Sequence, residues 1–96
     1  MAVGLILQFP VGLGESEYDT VNKAMGLDPR SGGGDWPAGL ISHTAGKSEL
    51  GWVVTEVWES KELQGAFMAE RLGPQLAELP APQVTWYDVV AEHRPG

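Results

Sequence analysis

The chain has 96 residues, 43% of them hydrophobic and 20% charged, which allows one domain over 1–96 and excludes both a disordered chain and a two-domain protein. Its zero cysteines exclude a disulfide framework, thiolate metal sites and thiol catalysis. Six basic against thirteen acidic residues give a net charge of −7 with no two Lys or Arg adjacent, so neither nucleic acid nor an anionic membrane surface is an expected partner.

The apolar stretch 2–9 is too short to span a bilayer, and no Lys or Arg precedes it. It reads as a first strand closed by Phe9-Pro10, and without a signal segment or cysteine the protein is expected in the cytoplasm. Residues 11–14 form a turn. Ser16 and Asp19 resemble a capping box, and Tyr18, Val21 and Met25 follow at helical spacing, so a helix is expected over 15–26, stopped by Gly26. Residues 27–37, with three consecutive glycines and Trp36, read as a flexible loop. Strands are expected over 39–46 and 50–58, joined by a turn at 47–49, and the β-branched and aromatic content of 50–58 makes it the clearest strand.

Ser60 caps a second helix whose apolar face is Leu63, Phe67, Leu72, Leu76 and Leu79, with a kink or break at Gly73-Pro74. A last strand is expected over 83–92, and residues 93–96 are a tail. The order is β-α-β-β-α-β, an α+β, ferredoxin-like arrangement with an antiparallel sheet and both helices on one face. Val, Leu, Ile and Trp occupy both alternating sets on several strands, so the uncovered face calls for a cover. A small domain without disulfides or metal gains stability by oligomerising, and a homodimer packed sheet to sheet satisfies both demands.

The stretch Gly39-Leu40-Ile41-Ser42-His43-Thr44-Ala45-Gly46, then Gly51-Trp52, Glu56-Val57-Trp58-Glu59-Ser60, Phe67 and Arg71-Leu72-Gly73-Pro74-Gln75-Leu76 resembles the antibiotic biosynthesis monooxygenase-like superfamily of dimeric α/β barrels. The resemblance covers nearly the whole chain. It implies a dimeric α/β barrel with a pocket between sheet and helices in each subunit. It also implies a choice of chemistries, among them oxidation or cyclisation of aromatic compounds without metal or flavin. Haem-degrading relatives carry an Asn on the first strand and a His on the second helix. This chain has neither, which argues against haem, and the expectation is a protein without a cofactor.

His43 is the leading catalytic candidate, a mid-strand imidazole that titrates near neutral pH and can relay a proton. The alternative is a structural His bonded to a neighbouring strand or loop. A four-residue loop at 46–49 pairs Ala45 with Leu50 and His43 with Trp52. The period of two then gathers Trp52, Val54, Glu56 and Trp58 on one face around His43. A loop one residue longer would turn His43 opposite Val53 and dissolve that cluster. Glu56 is a second acid–base candidate, or else the partner of Arg71 in a salt bridge or a solvent-facing edge residue; Arg71 could instead hold a ligand carboxylate or phenolate. Ser42 and Thr44 point away from His43.

Trp36, Trp52 and Phe67 are candidate walls for a flat hydrophobic or aromatic ligand, with core or dimer packing as the alternative. Trp36 could tip a closing loop or pin that loop to the body. Tyr18 and Asn22 share a face of the first helix and could point polar groups into the same cavity. No phosphate loop or nucleophile elbow is present, and His43 and His93 are too far apart in sequence to indicate a metal site. The resulting expectation is a small cofactor-independent monooxygenase or cyclase with His43 as base, or alternatively a non-catalytic binding or structural dimer.

Overall fold

A computed structural model describes residues 2–93, so Arg94, Pro95 and Gly96 of the expected tail lie outside it. The elements are β1 (Val3–Gln8), α1 (Glu15–Ala24), β2 (Leu27–Asp28), β3 (Gly33–Gly34), β4 (Leu40–Ser48), β5 (Gly51–Trp58), α2 (Lys61–Phe67), a π-helical turn (Met68–Leu72), α3 (Gly73–Leu76) and β6 (Gln83–Asp88). One antiparallel sheet has the order β4-β5-β1-β6, and β2 pairs with β3 as a separate ribbon. This is the ferredoxin-like arrangement with the ribbon inserted after α1. No helix among the described residues is long and apolar enough to cross a membrane.

β1 and β5 take the centre because they carry most of the buried apolar side chains of the sheet. Leu5 and Leu7 are buried on β1; Trp52, Val54, Glu56 and Trp58 are buried on β5. They face the helices in two touching clusters. Leu5, Leu7, Phe9, Trp52 and Val54 form one, and Leu27, Trp58, Phe67 and Leu72 form the other. The opposite face of the sheet is mixed rather than uniformly apolar. By register it carries Ile6, Val53, Val57 and Tyr87 beside Thr44, Thr55 and Thr85. Tyr87 lies flat over Gly4, where a Cβ would sit 2.0 Å from the ring.

Four local details differ from the sequence reading, each for a physical reason. The capping interaction at α1 is not between Ser16 and Asp19. Gly14 is the N-cap, and its N–H donates to the Glu17 carboxylate at 3.0 Å, which longer Glu reaches and Asp does not. Residues 27–37 are not a structureless loop. The Asp28 carboxylate accepts bonds from the Arg30 and Ser31 N–H groups and the Ser31 hydroxyl, closing a turn that lets Leu27 and Asp28 pair with Gly34 and Gly33. Leu27, buried at the root, anchors the ribbon.

The β4–β5 loop is two residues shorter than expected. Ser48 pairs with Gly51 across Glu49-Leu50, because the Ser48 hydroxyl accepts from Leu50 N–H and donates to the Gly51 carbonyl. His43 therefore stands opposite Glu56, and Lys47 opposite Trp52. An even shift preserves the face, so His43 stays with Trp52, Glu56 and Trp58. Finally, β6 ends at Asp88 rather than residue 92, with one further bond from Val89 N–H to the Ala2 carbonyl.

The expected interruption near Gly73-Pro74 takes the form of the π-helical turn just before it. Pro74 has no N–H for the α-helical ladder and crowds the preceding turn. Widening that turn lets Gly73 N–H reach the Met68 carbonyl five residues back. A Cβ at position 73 would lie 2.6 Å from that same oxygen, so the residue there is glycine for want of space.

Candidate functional site

Between α1 and the sheet lies a partly open cavity of about 50 Å³. Its lining is mostly apolar, with Phe9, Val21, Leu27, Leu72 and Leu76 among the contributors, and its polar members are few: Glu17, Tyr18, Asn22, His43 and Glu56.

Those polar groups are not scattered. Glu56 is 5% exposed in the middle of β5, and both its oxygens are satisfied. Oε2 accepts from His43 Nδ1–H at 2.7 Å, and Oε1 accepts from the Trp58 indole N–H at 3.0 Å. The first bond follows from the cross-strand pairing of positions 43 and 56, and the second from the i, i+2 spacing on one strand face. With Nδ1 donating to a carboxylate, the neutral ring has its lone pair at Nε2. There the Tyr18 hydroxyl of α1 donates. The Tyr18 and His43 rings lie 14° from coplanar with centroids 5.9 Å apart, which fits rings meeting edge to edge through Oη and Nε2. The result is one directed chain, Tyr18 to His43 to Glu56, with Trp58 fixing the carboxylate from behind.

Aromatic contacts hold the chain in place. Trp52 lies 5.2 Å from the Tyr18 ring and Trp36 lies 5.4 Å from the imidazole, both tilted. Burial pushes the Tyr18 phenol up to about 12, with the Asn22 amide opposing it in part and the nearby Glu56 charge adding a smaller push upward. Tyr18 is therefore neutral over the physiological range. At the cavity edge, the Gly14 N–H holds the Glu17 carboxyl below the usual range. The Trp52 indole N–H is buried and has no hydrogen-bond partner among the described residues.

The sequence-derived candidates separate cleanly. His43, Glu56, Tyr18, Asn22, Trp36, Trp52 and Phe67 all line the cavity. Asn22 is buried, and its amide donates to the Tyr18 carbonyl at 2.9 Å. The Trp36 indole donates to the Gly33 carbonyl at 3.0 Å, which pins the residue to the ribbon. Arg71 is not in the lining. Its guanidinium donates to the Met25 carbonyl at the end of α1 at 2.8 Å, lies over the Phe67 ring and approaches exposed Asp35 at 3.9 Å. The expected Glu56–Arg71 bridge is thus replaced by Glu56–His43, because Arg71 serves the unsatisfied carbonyls of a helix end. The role of Trp58 as a donor to Glu56 was missed, although its spacing two residues along the strand carried the signal.

No family model and no curated protein matches the chain. Among solved structures, Rv0793 from Mycobacterium tuberculosis is 18% identical with a TM-score of 0.69, covering 98% of this chain and 100% of that one. SnoaB, a cofactor-independent oxygenase from Streptomyces nogalater, is 15% identical with a TM-score of 0.64 over 95% of each chain. A proposed antibiotic biosynthesis monooxygenase from Chloroflexus aurantiacus is 18% identical with a TM-score of 0.64 over the full length of both. The chain has the antibiotic biosynthesis monooxygenase-like fold. At these identities the fold is what is shared, and the Tyr18–His43–Glu56 chain is described from this protein's own residues.

Proposed function

We propose that the protein is a cofactor-independent acid–base enzyme, a monooxygenase or cyclase, acting on a flat hydrophobic or aromatic metabolite with His43 as its base. One observation carries this reading. A histidine held by a buried carboxylate at Nδ1 lines a mostly apolar cavity, with its basic Nε2 hydrogen-bonded to the Tyr18 hydroxyl. Glu56 fixes the tautomer and stabilises the imidazolium that forms, as a carboxylate does for any catalytic histidine. Asn22 and Tyr18 orient the ligand, and Trp36, Trp52 and Phe67 wall it. The unpartnered Trp52 N–H supports a ligand with an acceptor oxygen, because a buried donor left unpaired costs roughly 1–3 kcal/mol. Similarity to an oxygenase described as cofactor-independent supports the oxidative option.

Proton removal from an activated CH2 leaves a carbanion that reacts with dioxygen. The CH2 becomes a carbonyl and O2 supplies that oxygen and the oxygen of one water, so the electrons balance without a further redox partner. The working protein is a cytoplasmic homodimer joined through the open sheet face, where Ile6, Val53, Val57 and Tyr87 give apolar surface and the threonines tolerate a wet rim. Analytical ultracentrifugation at micromolar concentration checks this: a monomer there sinks the dimer.

The second reading, a non-catalytic binding or structural dimer, is favoured by the small size of the cavity, about 50 Å³. Anthrone, with an activated CH2 beside aromatic rings, separates the two. Native mass spectrometry reads binding and an oxygen electrode reads consumption. Binding retained but oxygen uptake lost in His43→Ala supports catalysis. Binding without oxygen uptake in the wild type supports the second reading, and no binding of anthrone or of any member of an aromatic ketone panel removes both.

A further inference from the structure

We propose that Tyr18, rather than His43, is the group that meets the substrate, and that it passes the substrate's proton through the cavity wall to His43. This rests on the acid–base reading above and assigns its terminal atom. The basic nitrogen of His43 is already occupied, since Nδ1–H faces Glu56 and Nε2 accepts from the Tyr18 hydroxyl. A molecule in the cavity therefore meets phenol oxygen before imidazole nitrogen. Because burial keeps the phenol protonated, Tyr18 is no standing base; it can take a proton only as it gives one up.

The relay also leads somewhere. Tyr18, His43 and Trp52 line the apolar cavity on one side and, on the other, a more open cleft bordered by Glu15, Arg30 and Lys47. These three side chains are a shared wall between an apolar chamber and solvent. In the step itself, a C–H or O–H bond of the substrate breaks and its proton joins Tyr18 Oη. The Oη–H bond breaks in concert and that proton joins His43 Nε2. The electron pair stays on the substrate as an enolate or carbanion, and the new imidazolium rests against the Glu56 carboxylate. The proton is then released to water on the cleft side, which restores neutral Tyr18 and His43.

Deuterium exchange at the CH2 of anthrone in D2O, followed by proton NMR, reads this step apart from any oxygen chemistry. The wild type accelerates exchange. Tyr18→Phe slows it by about 100-fold or more while retaining anthrone binding. His43→Gln slows it comparably, and the double variant loses no more than either alone, because the two act as one unit. Wild-type exchange in Tyr18→Phe with loss in His43→Gln overturns the relay and leaves the proposed function standing. Failure of the wild type to accelerate exchange in anthrone and in every member of the aromatic ketone panel overturns the proposed function and the relay with it. Should Tyr18→Phe not fold, 3-fluorotyrosine placed at position 18 keeps the packing and changes the acidity of the hydroxyl. An altered exchange rate then supports the relay, and an unaltered rate overturns it.

Discussion

Two polar triads share α1 and differ in almost everything but distance. On the outer side of the helix, Arg30 meets Glu15 at 2.7 Å and Asp19 at 2.6 Å, with all three side chains about half exposed. On the inner side, Tyr18 meets His43, and His43 meets Glu56 at 2.7 Å, with the latter pair 13% and 6% exposed. Equal lengths do not make equal interactions. Water competes for every member of the outer triad and screens it, whereas the inner triad has no substitute partner if one member is removed. The outer set ties the ribbon to the helix, and the inner set fixes which atoms carry protons.

The largest effect expected from breaking this contrast is at Glu56. Glu56→Ala leaves the Trp58 and His43 N–H groups without their acceptor and should destabilise the protein by about 3 kcal/mol in urea titration. A loss below about 1 kcal/mol would mean that water takes over the acceptor role of the lost carboxylate inside the sheet face. Gly73→Ala comes next. Its Cβ would press on the Met68 carbonyl, and a loss of about 2 kcal/mol is expected, against a gain if the turn were an ordinary α-helix where Ala outranks Gly.

The pH dependence sharpens the comparison without a change at the site. Tyr18 is raised from 10.0 to about 12 by folding, so the stability it contributes is complete below pH 10 and is lost as the pH rises through 12. In a Tyr87→Phe background, where Tyr18 is the single tyrosine, phenolate absorbance should appear near pH 12 together with that loss. Absorbance rising near pH 10 would mean that the phenol is solvated. Arg30→Ala should have the smallest effect, a drop in Tm of no more than about 3 °C that disappears near 1 M salt, where screening reaches ~3 Å. A larger, salt-independent drop would show the ribbon to be integral to the core.

The fold was readable because its signals are local. Alternation on 50–58, helical spacing at Tyr18, Val21 and Met25, and glycine and proline at the breaks each act over a few residues. The inner triad was half readable. Parity placed His43 on the face of Trp52 and Glu56, and an even change in loop length left parity untouched. The actual partner depended on whether Ser48 continues the strand, which is decided by its hydroxyl closing the turn and not by its propensity. Arg71 was not readable at all, since the carbonyl it serves ends a helix 46 residues away in sequence. Likewise, the order in 27–37 comes from one aspartate gathering three donors, a competition that composition alone does not reveal.

The π-helical turn has an arithmetic consequence. It holds one residue more than the α-helical turn it replaces, so α3 is rotated by about 100° from where an unbroken helix would have carried it. Leu76, on that rotated segment, packs against both core clusters. Deleting a single residue between 68 and 72 would restore an α-helical turn and keep Leu76 in place, whereas inserting one there would swing Leu76 off that seam. The two halves of the interior would then answer heat or denaturant separately, and the single unfolding transition of a 96-residue domain would broaden or split.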